Sequence, residues 1–137
     1  MKSHPYLRAY MAGITVPTMF LLVVLSVLLA VRRFGELPVP IERFVVFPMA
    51  VVPNAWGVWN VLRVASAAAR EVPLGVYGGL LAIVLPIVGY GVAQVVGFHP
   101  PASPGTLAVA WVVAVTLYAL VWQHLVGFLN ELLGVEG

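Results

Sequence analysis

The sequence predicts an all-α integral membrane protein: a four-helix transmembrane bundle whose second and third helices are interrupted by proline. Three observations predict it. Of 137 residues, 62% are hydrophobic and only 9% charged, against about 25% charged in a soluble domain, so the chain lacks the charge to cover a water-facing surface. The charges cluster between four long apolar runs rather than inside them. Each run is close to the roughly 20 residues that carry a helix across the hydrocarbon core. The spans read as 7–31, 43–63, 72–97 and 107–130, in a single transmembrane domain covering 1–137.

Helix 1 follows Lys2 and is bracketed by Arg8 and the pair Arg32–Arg33, with Tyr6 and Tyr10 at interfacial positions. Its apolar run from Ala9 to Val31 is too long for the h-region of a cleavable signal peptide, roughly 7–15 residues. Lys2 stands where myristoylation needs glycine, and no cysteine is available for a lipid, a disulfide or a thiolate metal site. Pro17 leaves the carbonyl of Gly13 without its helical donor, and Thr15 and Thr18 are placed to help re-satisfy the backbone. Gly35 is expected to end the helix. The Leu37-Pro38-Val39-Pro40 stretch that follows is expected to be extended.

Helix 2 lies between Arg43 and Arg63, about 20 rises of about 1.5 Å, or roughly the thickness of a hydrocarbon core. It holds Pro48, Pro53, Asn54, Trp56, Gly57, Trp59 and Asn60 with no charge among them. A lipid-facing anchor needs none of these residues. Pro53, Trp56, Asn60 and Arg63 follow a 3, 4, 3 spacing and share one face, with Asn54 and Gly57 beside it. Pro48 and Pro53 free the carbonyls of Phe44 and Met49. Freed carbonyls and asparagine amides are how membrane proteins build polar sites. The competing reading is that these groups only tie helices together. Alanine at 65 and 67–69 favours a helical extension past Arg63.

Helix 3 starts near Glu71 and Pro73. Gly75, Gly79, Ala82, Pro86, Gly89, Ala93 and Gly97 are spaced 4, 3, 4, 3, 4, 4, which places them on one face suited to close backbone approach. That stripe predicts packing within the chain or against a second copy. Thr106 is expected to cap helix 4 after the proline-rich stretch from His99.

Gln94 in helix 3 and His124 in helix 4 complete the set of candidate ligand-binding residues, with Pro53, Asn54, Trp56 and Asn60. Haem on His124 would need a second ligand, and neither His4 nor His99 has the spacing to supply one. No metal, cofactor or catalytic residue is therefore expected, and the five glutamates all fall at ends or loops. The net charge of +2 sits at predicted helix ends, which favours anionic headgroups over nucleic acid. The expected partners are membrane lipids, other membrane helices and a second copy. Lys2, Arg8, Arg63 and Arg70 fall on one side and Arg32, Arg33 and Arg43 on the other, a small excess that places both termini in the cytoplasm. The function these features predict is that of a non-catalytic membrane subunit, scaffold or oligomer. The alternative is a binder or passive pore for a small solute or lipid-like ligand at helix 2.

Overall fold

The structure is a computed structural model describing residues 4–36, 38, 41–95, 97 and 103–135. Leu37, Val39, Pro40, His99, Lys2 and Glu136 lie outside the described residues. The described residues are almost wholly helical and contain no strand. The elements are α1 (Pro5–Phe34), α2 (Ile41–Phe44), a π-helical turn (Val45–Met49), α3 (Ala50–Ala65), α4 (Ala67–Glu71), α5 (Leu74–Val95), α6 (Pro104–Val121), a second π-helical turn (Trp122–Val126) and α7 (Gly127–Leu132). Among the described residues, three helical stretches are long and apolar enough to cross a membrane: Pro5–Phe34, Leu74–Gly91 and Pro104–Leu132.

Local chemistry explains most of the boundaries. Gly35 closes α1 by donating its N–H to the Val31 carbonyl at 2.8 Å, with Arg32 and Arg33 in the last turn where they complement the helix dipole. The expected extension of helix 2 past Arg63 breaks at Ser66. There the backbone turns extended, and the Ser66 hydroxyl accepts the Ala69 N–H at 3.3 Å, starting α4 as a separate turn. The alanines favour helix as expected, but the serine offers the backbone a better start than a continuation. Helix 4 begins earlier than Thr106. Ser103 is the N-cap, accepting the Thr106 N–H at 3.2 Å, and Pro104 takes the first helical position, where its missing N–H costs nothing. At the other end, Val135 donates to the Asn130 carbonyl (2.8 Å) and Gly134 to that of Glu131 (3.0 Å), with Gly134 at φ +64. This doubly bonded glycine stop is the Schellman arrangement.

The chain divides into two compact units, Met1–Ala65 with Asn130–Gly137, and Ser66–Leu129. In the first, α1 packs on α3 through glycines that leave no room for a side chain. A Cβ on Gly13 would lie 2.6 Å from the Trp56 carbonyl oxygen and 2.8 Å from the Gly57 Cα. The Gly57 position is in turn covered by Tyr10 and Ile14, each with atoms 2.6 Å from a would-be Cβ. Lipid offers little hydrophobic force between helices, so this backbone contact is what holds such pairs together.

In the second unit, α5 packs on α6. Gly78 accommodates the Trp122 side chain, whose Cγ would lie 2.1 Å from a Cβ there, and a Cβ on Gly75 would lie 3.0 Å from the Ala119 carbonyl oxygen. Gly79 sits opposite Val115 and Ala119 at ordinary contact distance, and Tyr77 meets Trp122 edge-on, ring centres 6.0 Å apart. The π-helical turn beginning at Trp122 inserts one extra residue into the helical spacing and so re-aims the side chains that follow.

Candidate functional site

The buried residues of α3 are Pro53, Trp56, Gly57, Asn60 and Arg63. They make up the face that the 3, 4, 3 spacing groups together, with Gly57 added. Asn60 is fully buried, and so is Asn130. The Asn60 Nδ2 donates to the Ala9 carbonyl oxygen at 2.8 Å and to the Asn130 Oδ1 at 2.8 Å. The Asn130 Nδ2 returns a hydrogen bond to the Asn60 Oδ1 at 3.3 Å. One amide pair thereby ties together three stretches distant in sequence: the start of α1, the end of α3 and the C-terminal turn. Both N–H donors of Asn60 and its carbonyl oxygen are engaged within the protein, as a buried amide requires. Asn130 belongs to the network on two counts, because its backbone carbonyl also closes the terminal Schellman turn.

Asn54 is placed differently. It is exposed; its Nδ2 donates to the Ala50 carbonyl one turn back at 2.6 Å, and its Oδ1 accepts the Tyr10 hydroxyl. Tyr10 therefore has two roles, covering Gly57 with its ring and holding Asn54 with its hydroxyl.

Two backbone groups of the second unit are satisfied by the same logic. Pro86 has no N–H to give the carbonyl of Ala82 four residues earlier. The Trp111 indole N–H supplies it instead, at 2.9 Å. The Gly75 N–H is an orphan donor of the first turn of α5, and the Gln123 Oε1 accepts it at 3.0 Å. In both cases a side chain of the neighbouring helix takes the place of the bond the α5 backbone lacks.

The remaining sequence-predicted residues are dispersed. Gln94 is exposed near the end of α5, and His124 is exposed in the second π-helical turn. Of the small-residue stripe, Gly75, Gly79 and Ala82 face α6. Gly89 is half-buried, the Ala93 side chain lies outside the described residues, and Gly97 lies beyond α5 at φ +70, in the left-handed region that favours glycine. Gly97 therefore stops the helix rather than extending its face. Sequence reasoning gave no interhelical contact to Gly13, Gly78, Tyr10, Trp111, Gln123 or Asn130. A signal existed for one of them: Pro86 announces an orphan carbonyl at Ala82, and the tryptophans are the apolar side chains able to donate to it. Among the described residues, no group of three His, Asp or Glu is placed to hold a metal ion.

These observations define the class as an all-helical protein with three helices suited to crossing a membrane, tied within each unit by side-chain hydrogen bonds and glycine contacts. Comparison of the chain with protein-family models, curated proteins and solved structures finds no match.

Proposed function

We propose that the chain is a multi-pass membrane protein with four spans and both termini cytoplasmic, and that it acts without catalysis, as a subunit or scaffold whose helices pack against other membrane helices or a second copy. The stretch 43–63 supplies the fourth span. The chain is helical from Ile41 to Ala65, and the π-helical turn around Pro48 and the proline in α3 support reading it as a proline-interrupted helix. Pro86 gives α5 the same character. The single observation that carries the proposal is the Asn60–Asn130–Ala9 network. The most deeply buried polar side chains of the first unit are bonded to neighbouring helices, which is the use a packing module makes of them. Bilayer lipids are the remaining partners in this reading; no cofactor and no nucleic acid enter it.

The test combines three measurements on the purified protein. Membranes washed with alkaline carbonate should retain it. Light scattering in detergent should return a defined mass that Gly79→Leu alters or turns polydisperse, because the longer side chain would meet Val115 and Ala119. Proteoliposomes should be no leakier to small solutes than protein-free vesicles. A solute flux abolished by Asn54→Leu would overturn the scaffold reading in favour of a solute site at α3. The exposed Asn54 amide beside Tyr10 is the observation that favours that second reading.

A further inference from the structure

The C-terminal end of α1 carries an open cleft of about 440 Å³ whose described lining is Leu29, Arg32, Arg33 and Glu36. Its volume falls within the roughly 300–1,000 Å³ of small-ligand sites. Leu29, Arg32 and Arg33 lie on one helical face at spacings of three and four. Leu29 is the last leucine of the apolar run, so the two guanidinium groups stand where that run gives way to charge. Glu36 joins them through an uncommon backbone: its φ is +52, a left-handed value for a residue that is not glycine. Glu36 lines the same cleft as the arginines.

The charges are arranged in a definite way. Arg32 is held by Glu42, Nη1 to Oε1 3.1 Å. A hydrogen bond from its own backbone and then the Arg32 guanidinium hold the Glu42 carboxyl below its ordinary value, so it stays ionised at neutral pH. Among the described residues, neither Arg33 nor Glu36 has an ion-pair partner. Among the described residues the cleft is thus lined by a cation, Arg33, and an anion, Glu36, that make no ion pair with each other or elsewhere, together with the apolar Leu29.

We propose that this cleft binds the headgroup of a zwitterionic phospholipid bearing a primary ammonium, phosphate on Arg33 and Arg32 and ammonium on Glu36. Guanidinium groups suit phosphate oxygens. A headgroup with phosphate alone would leave its negative charge facing Glu36. A trimethylated ammonium would have no N–H to donate to the carboxylate. Leu29 and Leu22, seven residues apart on the same face of the helix and both exposed, give the acyl chains a path. The proposal rests on the reading that α1 crosses the bilayer.

The experiment is native mass spectrometry of the full chain in mild detergent with added phosphatidylethanolamine, phosphatidylcholine or phosphatidylglycerol. Phosphatidylethanolamine should be retained about threefold better than the other two, the size of one exposed charged contact. Glu36→Gln should remove that preference, and Arg33→Ala should lower retention of all three lipids. Circular dichroism and monodispersity show that the variants remain folded; both positions are exposed. Equal retention of the three lipids by the native protein, or an undiminished preference in Glu36→Gln, overturns the site. Soluble phosphoethanolamine is run alone and in competition. If it binds while the lipid does not, the ligand is a free phosphate compound and the lipid assignment falls. Carbonate washing of the source membranes separates the two levels: extraction of the protein refutes the membrane reading, whereas retention without lipid preference refutes the site alone.

Discussion

Replacing Asn60 by leucine tests the interhelical amide network directly. Leucine matches asparagine in side-chain branching and heavy-atom count but is bulkier, so the change removes the hydrogen bonds and adds some overpacking at this buried position. The Ala9 carbonyl loses its bond to Asn60, but Gly13 remains its helical partner. The damage falls on Asn130, which is fully buried and loses both its acceptor and its donor in the pair. A buried polar group left without a partner costs about 1–3 kcal/mol. Interhelical hydrogen bonds measured inside membranes average about 0.6 and reach about 1.7 kcal/mol. Taking the two bonds of the pair near the middle of that range gives a cost of about 2 kcal/mol. Asn130→Leu should cost about the same, because it orphans Asn60 in turn. The double variant leaves no orphaned amide, so its cost should fall short of the sum by about 1–2 kcal/mol. The measurement is equilibrium unfolding in mixed micelles titrated with a denaturing detergent, read by tryptophan fluorescence, over all four members of the cycle. Single costs below about 0.5 kcal/mol, or costs that add to within that margin, would refute the idea that this pair ties the three helical stretches together.

Two further substitutions test the remaining contacts. Gly13→Ala should destabilise α1 against α3 by more than about 1–3 kcal/mol, the usual cost of overpacking, because its Cβ meets backbone atoms of Trp56 and Gly57 that have no rotamer to escape into. Full-length protein that unfolds at the native detergent fraction would contradict this. Trp111→Phe should cost about 1 kcal/mol by orphaning the Ala82 carbonyl, and Pro86→Ala in that background should recover it by restoring the helical N–H. A Pro86→Ala change with the same effect in both backgrounds would show that the indole bond is not a substitute for the missing one.

Much of the first unit's buried face could be read in advance, because a helix exposed on most sides leaves a clear 3.6-residue rhythm. Pro53, Trp56, Asn60 and Arg63 fall together for that reason, and the structure buries all four. The same arithmetic groups Gly75, Gly79 and Ala82, which meet α6. It errs at Gly97, because periodicity has no term for where a helix stops and Gly97 lies two residues beyond the last helical position. It also misses Gly78, which a 4, 3 rhythm puts off the stripe, although that is where the bulky Trp122 enters.

The sequence by itself determined the long apolar runs, the helical class and the places where the backbone must lack a donor. Those follow from composition, from run length and from proline's missing N–H, all of which are properties of single residues or of neighbours along the chain. Only the tertiary structure decided who answers each deficit. Trp111 serves Ala82 from 29 residues away, and Asn130 meets Asn60 across 70. Such pairings depend on which helices lie side by side and on the residue inserted by a π-helical turn. No pattern within one helix encodes either, because the selecting force is the avoidance of a buried, unpartnered polar group, and that acts between helices.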